Sequence, residues 1–248
     1  MLTNDNQAPP KSIKRSEEHL YRADFNLYNH DNPYHEKLKA FEDFVILDQA
    51  AESHYSQWRH LFQAASPSSP LHIEIGTGYG DFMLDFCQHH PDILFIGLDH
   101  RFKRSFSLAK KLASIPNKNF RYLRAKGERL AFIFGPGEVD CVYFFFPDPW
   151  PKKRHHKKRL FQKPFLESVQ KVLKPGGRLV VKTDHEGYFD WMLNEIALAP
   201  IMKPLFQSRD LYTEFPDHPL TKFKTKFEKI FLEQRIPIKA LVLENDQK

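Results

Sequence analysis

In the segment Phe144-Phe145-Phe146-Pro147-Asp148-Pro149-Trp150-Pro151-Lys152-Lys153-Arg154, an acid, an indole and a run of cations follow an apolar stretch within a few residues. A strand that meets Pro-Asp-Pro-Trp cannot extend its hydrogen-bond ladder, because proline has no N–H, so the chain turns out at the strand's carboxyl end. That end is where open α/β sheets bind their ligands, which makes Asp148 a candidate for chemistry. Trp150 offers a face on which a base can stack, and the cations behind it suit phosphates. Taken singly, the indole would pack in the core and the charges would be solvated surface; their contiguity favours binding.

The second chemical segment is Glu74-Ile75-Gly76-Thr77-Gly78-Tyr79-Gly80. Glycines in a turn after a strand let the backbone approach a ligand. In dinucleotide enzymes the spacing is G-x-G-x-x-G, which seats a pyrophosphate on a helix N-terminus. Here the third glycine comes one residue early, and the Glu74 carboxylate would repel a pyrophosphate while attracting the ammonium and sulfonium of S-adenosylmethionine. Asp99 stands 19 residues after Gly80, at the end of the next apolar run, where it suits the two hydroxyls of a ribose. Glu74, Gly76, Gly78 and Asp99 are therefore cofactor-binding candidates, and the chemistry favours a methyl donor over NAD.

The chain of 248 residues carries 37 Lys and Arg against 31 Asp and Glu, a net charge of +6. Residues 152–159 alone hold six cations and no acid, a local footprint of the kind nucleic acid requires. The two cysteines, Cys87 and Cys141, lie among apolar neighbours and read as buried, reduced thiols. The N-terminal stretch has no apolar core for a signal peptide, and the longest apolar run, 141–146, falls far short of a membrane span. The expectation is a cytoplasmic protein without a membrane partner. Thirteen histidines offer no recognised ligand spacing, so no metal is expected.

These residues must be positioned by an α/β framework. Apolar runs at 71–75, 94–99, 120–125, 140–146 and 178–183 read as strands of a parallel sheet, with helices at 81–89, 102–115, 164–173 and 188–198 between them. Lys174-Pro175-Gly176-Gly177 reads as the stop of one helix and the turn into the next strand, and weaker stretches at 204–207 and 236–243 as a closing hairpin. Residues 1–19 are polar and expected to be a disordered tail, 20–69 a helical extension, and 70–248 the α/β domain. Within the extension, Tyr55, Trp58, Leu61, Phe62 and Ala65 recur at helical spacing before the break Ser66-Pro67-Ser68-Ser69-Pro70.

Taken together, Glu74 to Gly80, Phe146 to His155, Lys182-Thr183-Asp184 and Thr221-Lys222-Phe223 resemble, in that order, the bacterial tRNA (guanine-N7)-methyltransferase family. The resemblance implies a Rossmann-like class I methyltransferase with a seven-stranded, mostly parallel sheet, S-adenosylmethionine as donor, and guanine 46 of the tRNA variable loop as acceptor. Carried over by position, Glu74 and Asp99 would bind the cofactor, Asp148 would be the catalytic-site acid and also contact the cofactor, and Lys152, Asp184 and Thr221 would contact substrate. Arg154, Lys157, Lys158 and Arg159 would track the tRNA backbone. Asp184 has an alternative role as the cap of the following helix. Two positions depart from the family pattern: Lys126 stands where an Asp or Asn serves the adenine, and Lys224 where Thr221-Lys222-Phe223 should end in Glu. They leave open a second reading, a tRNA-binding protein with weak or lost catalysis. A third, a methyltransferase for protein or small molecules, leaves the basic run without a purpose. Monomer and dimer are equally compatible with the sequence.

Overall fold

The computed structural model describes residues 32–63, 66, 68–116 and 118–247; residues 1–19, Ala65 and Pro67 lie outside the described residues. Eight strands form one sheet: β1 (Val45–Leu47), β2 (Leu71–Ile75), β3 (Leu94–Leu98), β4 (Phe120–Arg124), β5 (Val139–Phe145), β6 (Leu173–Thr183), β7 (Lys203–Ser208) and β8 (Lys239–Glu244). Their order is β1-β4-β3-β2-β5-β6-β8-β7, parallel from β1 to β6 and antiparallel where β8 pairs with β6 and β7. Seven strands follow the expected apolar runs. The eighth, β1, adds three residues beside β4 and is too short to leave a periodic signal.

The helices are α1 (Pro33–Lys39), α2 (Asp81–His89), α3 (Phe102–Ala113), α4 (Leu130–Ile133), α5 (Lys163–Val172), α6 (Glu186–Leu198), α7 (Leu211–Glu214) and α8 (Lys226–Glu233). One face of the sheet is covered by α1, α2 and α3 through Leu38, Phe82, Phe86, Leu108 and Leu112. The other is covered by α4, α5 and α6 through Ile133, Phe165, Val169, Phe189 and Met192. Burial on both faces explains why β3 reads as unbroken apolar sequence, with all five residues buried. Because β2 lies between β3 and β5, the chain leaves β2 toward one face and β5 toward the other. A crevice opens at their carboxyl ends.

Two expectations are corrected here. The stripe from Tyr55 does not form an α-helix but two 3-10 segments, Asp48–His54 and Trp58–Leu61, separated by a left-handed Ser56 (φ 60°). One residue's anchoring overrides the helical spacing. The fully buried Trp58 donates from Nε1 to the Ile133 carbonyl (2.8 Å) and from its backbone N to Glu138 Oε1 (2.9 Å). Likewise, Lys174 to Gly177 is not a turn before the strand but part of it. β6 begins at Leu173, directly after α5, and pairs there with Val139. Gly176 N donates to the Asn245 carbonyl (2.7 Å) and Asn245 N to the Gly177 carbonyl (2.8 Å). Cys87 and Cys141 are both free and buried, and burial pushes the Cys141 thiol up to about 12.

Trp58→Ala should destabilise the fold by about 3–5 kcal/mol, since it deletes a fully buried indole and its hydrogen bond. Urea unfolding followed by fluorescence of the remaining tryptophans measures this; a loss under 1 kcal/mol would show that the 48–61 segment is not held by this anchor.

Candidate active site

At the carboxyl ends of β2, β3 and β5 lies a cavity of about 700 Å³ lined by Glu74, Gly76, Gly78, Asp99, Asp148 and Asp184, among others. Six of the site residues expected from sequence thus come together. The glycine turn is tied to the end of β3: Gly76 N and Thr77 N donate to the Leu98 carbonyl (2.7 and 3.1 Å). Gly76 and Gly78 have φ of 82° and 56°, a region that a side chain would strain. Asp99, buried at the strand end, accepts from Gly78 N (2.9 Å) at Oδ2 and from Arg101 N (2.9 Å) at Oδ1. Its carboxylate therefore shapes the loop while keeping lone pairs for a further donor in the cavity.

Glu74 is 2% exposed, and its Oε2 has no hydrogen-bond partner. Burial first, then the neighbouring charges of Asp99 and Asp81, push its carboxyl up to about 8, with Lys182 opposing. A buried, unpartnered acid facing a cavity is a site that a cation would complete.

The Pro147-Asp148-Pro149 segment is bracketed by two left-handed residues, Phe146 (φ 48°) and Trp150 (φ 43°). Each such conformation costs on the order of 1–3 kcal/mol and persists only when its surroundings impose it. Phe146 N donates to the Lys182 carbonyl (2.8 Å), and Arg159 Nε donates to the Pro149 carbonyl (2.8 Å). Arg159 is 4% exposed, with its guanidinium 4.7 Å from the Tyr188 ring centroid. Arg159 therefore does not track an RNA backbone as the sequence implied; it holds the loop. Trp150 lines the cavity with Lys158 Nζ 4.6 Å over its ring. Asp148 Oδ2 accepts from Arg101 Nη2 (2.8 Å), a partner that sequence reading missed. With 41% and 60% of these side chains exposed, the pair is worth about 0–1 kcal/mol and is easily exchanged for a ligand.

Asp184 does not cap α6. His185 does, through Nδ1 accepting from Tyr188 N (3.0 Å), so the Asp184 carboxylate stays available in the cavity wall. Lys152 and Arg154 are exposed and lie outside the cavity lining, at the start of the 3-10 segment Lys153–Lys158.

Thr221 also lies outside the lining, because its hydroxyl donates to the carbonyls of Pro216 (3.0 Å) and His218 (2.9 Å) within its own turn. Thr225, four residues on, lines the cavity instead. It opens α8 in a capping box, Thr225 Oγ1 accepting from Glu228 N and Glu228 Oε2 from Thr225 N. The sequence Thr221-Lys222-Phe223-Lys224-Thr225-Lys226-Phe227-Glu228 contains the same three-residue start twice, and only the second ends in Glu. The apparent departure at Lys224 thus comes from the register: Lys224 Nζ donates to the Thr221 carbonyl (2.8 Å). The Thr-x-x-Glu spacing of a capping box was the overlooked signal. Glu228, fully buried, accepts at Oε1 from Lys182 Nζ (2.7 Å) and Tyr212 OH (2.9 Å). Burial lowers the Lys182 ammonium, and Glu228 opposes this.

Among the described residues, no group of three or more His, Cys, Asp and Glu could hold a metal, and no helix is long and apolar enough to cross a membrane.

Residues 68–241 match a family model described as "Putative methyltransferase". Over 194 residues the chain is 34% identical to a tRNA (guanine-N(7)-)-methyltransferase of Enterococcus faecalis, spanning 77% of this chain and 87% of that one. The protein of the same name from Streptococcus thermophilus is 35% identical over 195 residues, 77% of this chain and 88% of its own. In fold the chain is similar to the 16S rRNA methyltransferase KamB, with a TM-score of 0.53 at 18% identity over 80% of this chain and 94% of that one.

Two outcomes follow from the geometry. Because burial raises the Glu74 carboxyl to about 8 while a cationic ligand favours its carboxylate, affinity for such a ligand should rise nearly tenfold per pH unit between pH 6 and 7.5. Calorimetric titration with S-adenosylmethionine measures this, and Glu74→Gln should flatten the slope; a flat wild-type profile would show that Glu74 binds no cation. Separately, Lys182→Met leaves Glu228 buried without its cation and should cost about 3–5 kcal/mol in urea unfolding, whereas a neutral result would mean that the pair does not anchor α8.

Proposed function

The chain belongs to the tRNA (guanine-N7)-methyltransferase family, and we propose that the crevice between β2 and β5 carries the family's reaction with Asp148 facing the guanine. It transfers a methyl group from S-adenosylmethionine to N7 of a guanine in tRNA. What supports this placement most is Glu74, a buried acid with an unpartnered oxygen in the same cavity wall as Asp148. That acid fits the cationic end of the cofactor, Asp99 fits the ribose, and the turn at Gly76 and Gly78 leaves room for both. When bound, the cofactor supplies an electrophilic methyl on a sulfonium.

N7 of guanine has an in-plane lone pair and no proton, so the protein needs no base to create the nucleophile. Its residues must align the purine and stabilise the positive charge that the ring gains. Asp148 suits both tasks. Its carboxylate can release Arg101, accept hydrogen bonds from guanine N1–H and N2–H, and offset the developing positive charge. Asp184 and Thr225 hold the base edge from the other walls of the cavity. Thr221, which the resemblance implied for that role, has its hydroxyl committed elsewhere. Glu128, which lines the cavity, accepts from the cofactor's adenine in place of the acid that Lys126 replaces. Lys152 and Arg154, exposed beside the cavity, contribute phosphate contacts and salt dependence more than specificity.

The same proposal takes guanine 46 in the variable loop as the acceptor and the cytoplasm as the location, in keeping with two free, buried thiols.

Labelled methyl transfer to unmodified tRNA transcripts tests the reading, with the product guanine mapped. The expected product is 7-methylguanosine at position 46. Asp148→Asn should lower kcat about a hundredfold or more, on the scale of removing one charge-stabilising group. A folded protein that transfers no methyl would overturn the assignment, while an Asp148→Asn variant at wild-type rate would take Asp148 out of the chemistry and leave the rest standing.

A further inference from the structure

We propose that Phe227 and Tyr79 form a second nucleobase platform at the cavity, with Arg104 and Lys226 gripping the adjoining phosphate, so that a nucleotide next to the target guanine is held as well. The inference rests on the tRNA reading above and extends it to a surface on the glycine turn, α3 and α8, distinct from the Trp150 loop and its basic run.

Four aromatic rings that line the cavity run in a row from the glycine turn to the end of β5. Tyr79 and Phe227 have centroids 6.0 Å apart, Phe227 and Phe231 6.3 Å with planes 22° apart, and Phe231 and Phe146 5.8 Å. Rows of this kind are ordinary in cores, but this one ends in the open. Phe227, on the first turn of α8, is 36% exposed. An apolar ring left so exposed beside a ligand cavity is a surface for a flat partner.

Charge identifies the partner's class. Arg104 Cζ lies 5.3 Å and Lys226 Nζ 4.1 Å from the centroid of the single Tyr79 ring. Neither cation forms an ion pair among the described residues. Two cations held at one ring with no carboxylate partner leave positive charge at the edge of the cavity, and a phosphate joined to a stacked base supplies both the matching anion and a flat face. Single-stranded RNA is recognised in this way, by aromatic faces interleaved with cations. The platform is also rigid, because Glu228, the residue after Phe227, is locked in the buried pair with Lys182.

The test uses the full chain and an unmodified tRNA transcript, measuring tRNA affinity over a range of salt, S-adenosylmethionine affinity, and KM for tRNA apart from kcat. Phe227→Ala should weaken tRNA binding about tenfold and raise its KM with cofactor affinity unchanged, and Phe227→Tyr should restore both. The double substitution Arg104→Ala and Lys226→Ala should reduce the slope of log affinity against log salt by about 0.7, the value for one phosphate neutralised on a single strand. Wild-type tRNA affinity and salt slope in both variants would overturn the platform, as would a fall in S-adenosylmethionine affinity that accounts for the lost tRNA turnover. If the unaltered protein bound no tRNA, the proposed tRNA reaction would fail for this chain, and the platform with it.

Discussion

The carboxylate of Asp99 is the joint on which the catalytic geometry turns. One of its oxygens draws in Gly78 N and so sets the curve of the glycine turn; the other receives Arg101 N and so sets the start of α3. From there the Arg101 side chain reaches Asp148 at 2.8 Å, so Arg101 ties the end of β3 to the loop after β5 across the crevice. The carboxylate is buried, where an unmade bond would cost more than a made one gains. The crevice itself exists because β2 and β5, though neighbours, send the chain to opposite faces of the sheet. Sheet order supplies the opening, and one acid adjusts its two sides to each other.

How much of this was legible in the sequence depended on how local each cause is. The glycine turn and the Pro-Asp-Pro-Trp exit were readable because their chemistry acts within a few residues of a strand end. The strands were readable because a sheet covered on both faces demands unbroken apolar runs. Arg159 was misread because an arginine among lysines reads as surface. What buries it is Tyr188, almost 30 residues away, together with a carbonyl exposed by the turn it pins. Arg101 went unnoticed for the same reason, since its partner lies across the sheet. The Trp58 segment shows the converse: the spacing was helical, but one indole and one backbone N–H found better partners on α4 and Glu138 than a helix would have provided.

The misplacement at Thr221 is of another kind. A repeated Thr-Lys-Phe gives two starts four residues apart, so both fall on similar local sequence, and only one is followed by an acid that can close a capping box. That acid also reaches the interior, where it meets Lys182 and Tyr212. A single glutamate therefore closes the helix start and fixes its height above the sheet. Thr225, Lys226 and Phe227 owe their presentation at the cavity to a residue that never touches it.

The burial of Cys87 and Cys141 has a consequence for a protein that hosts an alkylating agent. A thiolate is a far stronger nucleophile than the ring nitrogen of a purine, and a protein carrying one near a sulfonium would be at risk of methylating itself. Here both sulfurs are enclosed, and their ionisation is pushed far above the pH of any cell, Cys141 to about 12. The reagent is thereby left facing oxygen and nitrogen groups alone, and selectivity for the nucleic acid begins with the nucleophiles that the fold withholds.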